Sequence, residues 1–291
     1  MGEIFWINPE DRILLSTGGL DDLPSFFAWR QGDRLDKVGL ASWRQRWRLR
    51  LTDCAGRERV MYLKRFQNPP LGRQLDRWKL GRPLTATAAI EWQNALQLQA
   101  LGVRAATPVG FGQQMAGPWE RRSFVLLDAA QGESLERWVP RQLAPQACER
   151  DLSARRAMFD ALARFVAGFH AAGFVHRDMY LCHIFIRGAE RGYPRPAHGD
   201  CFTLIDLQRV FRPRWRQRRW VVKDLAALNF SAPVDRVGRW ERLRFLCRYA
   251  RAHERVGSAR LLARLIGRKT AEIARRNPAP LAGEWSPPRA G

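Results

Sequence analysis

"GFVHRDMYLCHIFI", residues 173–186, sets two of the chain's five histidines around an Arg-Asp pair, directly ahead of an apolar run. A metal cluster, a phosphoryl-transfer loop and ordinary core would each account for it, so the flanks must choose. Upstream, residues 151–172 carry Leu152, Phe159, Leu162, Val166 and Phe169 at helical spacing, and Gly173 stands where such a helix ends. Downstream, "HIFIRG" and "FTLIDLQRV" are short apolar runs joined by the Gly- and Pro-bearing "AERGYPRPAHGD". They read as a β-hairpin. Asp178 then lies on a loop and Asp206 at the end of the hairpin's second strand, and the hairpin is expected to bring the two together.

Working outward, residues 43–51, "WRQRWRLRL", alternate Trp, Gln and Leu with arginine. Period two predicts a half-exposed strand, with "RVMYLKRF" (59–66) returning after the turn "TDCAGRE". Residues 67–84 are rich in Pro, Gly and Arg and read as a long loop. A helix is expected over 85–101, with Ile90, Leu98 and Leu101 on its apolar side and Gly102 as its left-handed cap. Strands follow near 108–112 and 122–130, and residues 220–276 read as arginine-studded helices. The expected class is α+β in two lobes. A strand-rich N-lobe would occupy residues 1–130, a mostly helical C-lobe 131–276 and a flexible tail 277–291.

Phosphoryl transfer needs a carboxylate to orient the acceptor hydroxyl. It also needs hard ligands for Mg²⁺ and a cation on the nucleotide phosphates, because charge spreads over the phosphoryl oxygens in the transition state. Asp178 and Asp206 suit the first two tasks. Lys64, on the predicted strand "VMYLK", suits the third, and Glu91 in the next helix would hold it. These pieces fall in the chain order of the protein-kinase signature set. Lys64 and Glu91 alone are ordinary surface residue types. Asp206 is more telling, because a carboxylate among Leu204, Ile205 and Leu207 is costly unless paired or metal-bound.

With these residues in view, "GFVHRDMYLCHIFI", "LIDLQRV", "YLKRF", "AIEWQNALQLQALGVRAATPVGFG" and "VVKDLAALNFSA" together resemble the lipopolysaccharide kinase (Kdo/WaaP) family over residues 35–270. The resemblance implies a protein-kinase-like fold and ATP- and Mg²⁺-dependent phosphorylation of an inner-core heptose or Kdo. The lipid-linked acceptor would be met at the cytoplasmic face of the inner membrane. Position by position it implies Asp178 as catalytic aspartate, Lys64 as nucleotide lysine with Glu91 its partner, and Asp206 as magnesium ligand. His176 and Arg177 would be loop scaffold. His183 stands where protein kinases carry a metal-binding asparagine. Imidazole is a reluctant Mg²⁺ ligand, so bonding Asp178 or a phosphate is its other expected role. Two departures stand out. Asp206-Leu207-Gln208 replaces a D-F-G triplet, and Gly39 is the lone glycine of "DKVGLASWRQR", where a nucleotide-covering loop belongs.

Composition narrows the alternatives. Lys+Arg 50 against Asp+Glu 28 leaves +22, and only five of the cations are lysines. The excess reflects either an arginine-biased genome or an anionic partner, and the run "RVFRPRWRQRRW" (209–220) would line the acceptor side. No apolar run reaches bilayer length. The N-terminus lacks a signal pattern, and the five cysteines are an odd number at scattered spacings, so a peripheral, cytoplasmic location is expected. A zinc site of Cys182, His183, His198 and Cys201 is disfavoured, because adjacent ligands fit one tetrahedral ion poorly. His170 is expected to satisfy a backbone group. A kinase-like binding module without phosphotransfer is the alternative from another class, motivated by the missing glycine loop. A nucleic-acid binder is not expected, since no reader motif accompanies the charge.

Overall fold

The computed structural model describes residues 2–35, 42–79, 83–143, 149–188, 201–253 and 257–277. The chain divides into two compact units, Met1–Ala130 with Asp206–Gln208, and Gln131–Ile205 with Arg209–Gly291. The architecture is α+β.

The first unit is built on an antiparallel sheet of β1 (Gly2–Ile7), β2 (Asp33–Arg34), β3 (Arg44–Thr52), β4 (Glu58–Gln67), β5 (Pro108–Ala116) and β6 (Trp119–Asp128), in the order β1-β5-β6-β4-β3-β2. The arginine-alternating stretch is β3, paired to β4 with Trp47 opposite Leu63 and Leu49 opposite Met61. Alternation sends Trp47, Leu49, Leu51, Met61 and Leu63 to one face. There they pack with Leu15 of α1 (Arg12–Thr17) and with Leu23 and Phe26 of α2 (Leu23–Ala28). Lys64 has the opposite parity and so points to the other face, where α4 (Thr87–Ala100) packs on β4, β5 and β6. Gly102 ends α4 at φ +70, whereas Leu101, one residue past the helix, is exposed rather than on its apolar side.

Residues 67–84 are not wholly loop. Leu71–Lys79 form α3, because Pro69 and Pro70 lie ahead of a proline-free stretch whose Leu71, Leu75 and Trp78 recur at helical spacing.

The second unit holds a small sheet of β7 (Glu133–Ser134), β8 (Ile184–Ile186) and β9 (Phe202–Leu204), of which β8 and β9 are the expected hairpin. Its helices are α5 (Leu135–Gln142), α6 (Glu149–Ala171), α7 (Gln217–Ser231), α8 (Arg239–Ala252) and α9 (Ala259–Arg276). α6 buries Phe159, Leu162, Val166 and Phe169, but Leu152 is exposed in the first turn, one turn before Arg155 begins the buried face. Cys54, Cys182, Cys201 and Cys247 are free thiols. Cys148, His198 and residues 278–291 of the expected tail lie outside the described residues. Among the described residues no helix is long and apolar enough to cross a membrane.

Candidate active site

In the first unit β4 delivers Lys64 and α4 delivers Glu91. Lys64 Nζ donates to Glu91 Oε1 at 2.7 Å and Oε2 at 3.0 Å, and to Asp206 Oδ1 at 2.8 Å. Glu91 is fully buried and Lys64 is 12% exposed, whereas 30% of the Asp206 side chain reaches solvent. A buried carboxylate needs such a partner, and the ammonium gives it one while holding Asp206 in place. The short 206–208 segment is strapped to α4. The Leu207 N–H donates to Glu91 Oε1 at 3.2 Å, and Asn94 Nδ2 donates to the Leu207 carbonyl at 2.9 Å. Arg44 Nη2 adds a bond to Gln208 Oε1 at 2.9 Å. Burial pushes the Arg44 guanidinium pKa down, and the Asp206 and Glu91 carboxylates oppose that shift.

Asp206 lies two residues past β9 rather than at its end, and it adopts φ +57, a conformation that costs a non-glycine residue about 1–2 kcal/mol. The triad of two carboxylates and one ammonium carries net −1, and its most accessible member is an oxygen donor. That chemistry fits a hard divalent cation. Among the described residues no group of three or more His, Cys, Asp or Glu forms a ready-made metal cage.

In the second unit the 173–186 stretch is a loop folded around Asp224 of α7. Asp224 is fully buried, and it accepts from the His176 N–H at 2.6 Å and the Arg177 N–H at 2.7 Å. His170 Nε2 donates to the same carboxylate at 3.3 Å, and its Nδ1 lies 2.9 Å from the Tyr249 hydroxyl. His170 thus serves side chains, where a backbone partner was expected. Burial, with Asp224 beside it, drives the Tyr249 phenol pKa far up. His176 Nε2 donates to the Ile205 carbonyl at 3.0 Å, tying the loop to the chain just before Asp206. Arg177 is held at φ +70, its guanidinium over Phe211 and Trp220.

His183 Nδ1 donates to the Asp178 backbone carbonyl at 2.7 Å, so it braces the loop. Both Asp178 carboxylate oxygens accept from Arg209 Nη1 at 2.8 Å. Arg209 is half exposed, so this pair contributes only about 0–1 kcal/mol and is readily exchanged. Lys223 completes a basic surround. Burial, then Arg177 and Arg209, push its ammonium pKa down, with Asp178 opposing. Burial and Asp178 push the Tyr180 phenol up.

The structure thus brings Lys64, Glu91 and Asp206 together in one unit, and Asp178, His183, His176 and Arg177 together in the other. Gly39 lies outside the described residues. Sequence reasoning missed Asp224 as the anchor of the loop and Arg209 as the partner of Asp178. The available signal for Asp224 was its setting, "VVKDLAAL", a carboxylate in an apolar helix, which is the same reasoning that picked out Asp206.

Comparison with known proteins assigns the class. The model of the lipopolysaccharide kinase (Kdo/WaaP) family matches residues 34–249, and the chain belongs to that family. It is 35% identical over 168 residues to the lipopolysaccharide core heptose(I) kinase WaaP of Pseudomonas aeruginosa, covering 55% of this chain and 58% of that protein. It is 31% identical over 143 residues to the WaaP of Escherichia coli, covering 49% of this chain and 52% of that one. The chain thus matches little more than half the length of these relatives. A solved structure of WaaP in complex with acyl carrier protein is similar over 94% of this chain and 99% of its own, at TM-score 0.65 and 27% identity. The fold is kinase-like.

Proposed function

We propose that this protein is an ATP- and Mg²⁺-dependent kinase acting on a heptose or Kdo hydroxyl of the lipopolysaccharide inner core, at the cytoplasmic face of the inner membrane. The observation that carries the reading is Lys64 Nζ held between Glu91 and Asp206, the arrangement a nucleotide-phosphate site requires. When bound, Mg-ATP supplies the phosphoryl group and the charge that offsets its oxygens. Asp206 would be the metal ligand, and His183 would brace the loop that carries Asp178. Lys64, fixed by Glu91, neutralises phosphate oxygens. Asp178 accepts the hydroxyl hydrogen bond of the acceptor and orients it, once Arg209 turns from Asp178 to an acidic group of the acceptor. Arg177 and Lys223 add to the same basic surround. His176, with the Asp224 anchor, keeps the loop in register.

Mass spectrometry of envelope glycolipid from a deletion strain tests the reading. Loss of one core phosphate is expected, restored by the wild-type gene but not by Asp178→Ala. Restoration by Asp178→Ala would remove Asp178 from its role. The competing binding-module reading predicts no thermal shift with Mg-ATP.

A second partner follows from one observation. In the second unit Val139, Phe159, Leu162, Leu228, Leu246 and Ile266 line an apolar cavity of about 310 Å³. Since a solved relative forms a complex with acyl carrier protein, we infer that this cavity takes an acyl chain presented by such a carrier. Copurification of the acylated carrier, lost in Leu162→Trp, is the expected outcome.

A further inference from the structure

Surface helices of water-soluble proteins bury their apolar side and expose their polar side. α3 does the reverse. Gln74 and Arg77 are its buried residues, each 4% exposed, while Leu71 is 67% and Leu75 42% exposed. At about 100° per residue, Leu71, Leu75 and Trp78 share a sector about 60° wide.

The inversion is held in place by hydrogen bonds. Gln74 Nε2 donates to the carbonyls of Glu120 at 3.0 Å and Pro69 at 3.2 Å, and the Glu120 N–H donates back to Gln74 Oε1 at 3.2 Å. Arg77 donates to the Thr85 carbonyl at 2.7 Å and the Pro118 carbonyl at 3.2 Å, and pairs with the buried Glu120 at 3.5 Å. Rolling α3 to bury its leucines would strand all of these groups.

The apolar face continues onto the tip of the β5–β6 hairpin. Trp119, 39% exposed, stands edge-on to Trp78 with ring centroids 4.8 Å apart. Trp78 Nε1 donates to the Pro118 carbonyl at 3.1 Å. Leu84, 67% exposed, lies in the stretch Arg77 holds by the Pro83 and Thr85 carbonyls.

We propose that α3 and the Trp119 hairpin tip form a docking element for an anionic phospholipid surface, α3 lying in the plane of the headgroups with Leu71, Leu75 and the two indoles turned into the acyl boundary. The inference rests on the reading that the acceptor is membrane-anchored, and it names the part of this chain that would find the membrane. Three features select lipid over a protein partner. The surface is a helix face with a hairpin tip beside it, not a groove. Its aromatic members are tryptophans, which favour the headgroup level. Exposed Arg121, two residues after Trp119 on β6, lies beside it on a chain of net charge +22, the complement of an anionic leaflet.

The test is cosedimentation of the full chain with vesicles of mixed zwitterionic and anionic phospholipid, comparing wild type with Leu71→Gln/Leu75→Gln. The expected result is binding by wild type and at least about tenfold weaker binding by the double variant, since each leucine loses part of its transfer free energy. Its melting temperature should be unchanged, because both side chains already face solvent. Equal vesicle binding by the two proteins overturns the proposal. So does wild-type self-association that the substitutions disperse in the absence of vesicle binding, which would make the face a protein contact. Phosphorylation of delipidated core oligosaccharide separates this proposal from the functional reading. That turnover should survive in the double variant, and its absence from wild type would refute the kinase assignment without touching the vesicle result.

Discussion

Replacing Asp224 by alanine should collapse the 176–178 loop. The carboxylate is fully buried and accepts two backbone N–H groups, at 2.6 Å from His176 and 2.7 Å from Arg177, besides His170. Alanine leaves both backbone donors buried without an acceptor, and each such donor costs about 1–3 kcal/mol. It also releases Arg177, whose φ of +70 is itself unfavourable by about 1–2 kcal/mol and persists only while its N–H is held. Relief of that strain offsets part of the donor cost, so the expected loss is about 3–5 kcal/mol, the range seen when one partner of a buried charge is removed. Asp224→Asn keeps one accepting oxygen and presents an N–H₂ to the other donor, so about half the loss is expected. Denaturant unfolding measures the total, and hydrogen exchange at amides 176 and 177 localises it. The reasoning is refuted if Asp224→Ala unfolds within about 0.5 kcal/mol of wild type, the spread of neutral surface changes, or if those two amides keep their protection.

Three further outcomes are expected. Lys64→Met should destabilise the protein more than Lys64→Met with Glu91→Gln, since the single change strands a buried carboxylate, and a double-mutant cycle should return a coupling of about 1–3 kcal/mol. Gly132→Ala should cost more than about 2 kcal/mol in denaturant unfolding, because φ is +84 and the new Cβ would fall 2.0 Å from the Ile186 carbonyl oxygen. Tyr249 keeps its proton in the folded state at pH values where the unfolded chain ionises. Its contribution is therefore complete below pH 10.0 and lost above it, by about 1.4 kcal/mol per pH unit. Tyr249→Phe should flatten that alkaline fall in unfolding free energy, and an unchanged slope would show that Tyr249 is not its source.

Much of this was legible because single periodicities dominate. Period two in "WRQRWRLRL" fixed β3 and its buried face, and the 3.6-residue recurrence of Phe159, Leu162, Val166 and Phe169 fixed α6. Lys64, Glu91 and Asp206 were legible as a set through residue chemistry and chain order. The failures have physical causes. α3 was hidden because Pro69, Pro70, Gly72, Gly81 and Pro83 crowd the stretch and read as loop, although Leu71, Leu75 and Trp78 recur at helical spacing. Leu101 and Leu152 fit a helical stripe yet sit at helix ends, where the packing partner is missing. The pairing of Arg209 with Asp178 depends on how the chain turns after β9, and no local pattern encodes it.

The arginine excess divides along the same physical lines. Arg65 Nη1 donates to the carbonyls of Phe26, Phe27 and Trp29 at 2.9, 3.0 and 3.1 Å, which are the last carbonyls of α2 and its cap. Arg242 does the same at the end of α7, reaching Asn229 at 2.8 Å and Ala232 at 2.8 Å, and extends to Val237 at 3.0 Å. Helix C-termini leave carbonyls unpaired and carry partial negative charge, so a buried cation with five donors in a rigid fork serves several of them at once. An ammonium, a point charge on a flexible stem, would leave some unsatisfied. These arginines are structural, and the net charge of +22 therefore overstates the surface available to an anionic partner. Cations without such carbonyl contacts include Arg209 and Lys223 around Asp178 and Arg121 near Trp119. Under the two proposals above, an acceptor's acidic groups would meet Arg209 and Lys223, and a leaflet's headgroups would meet Arg121.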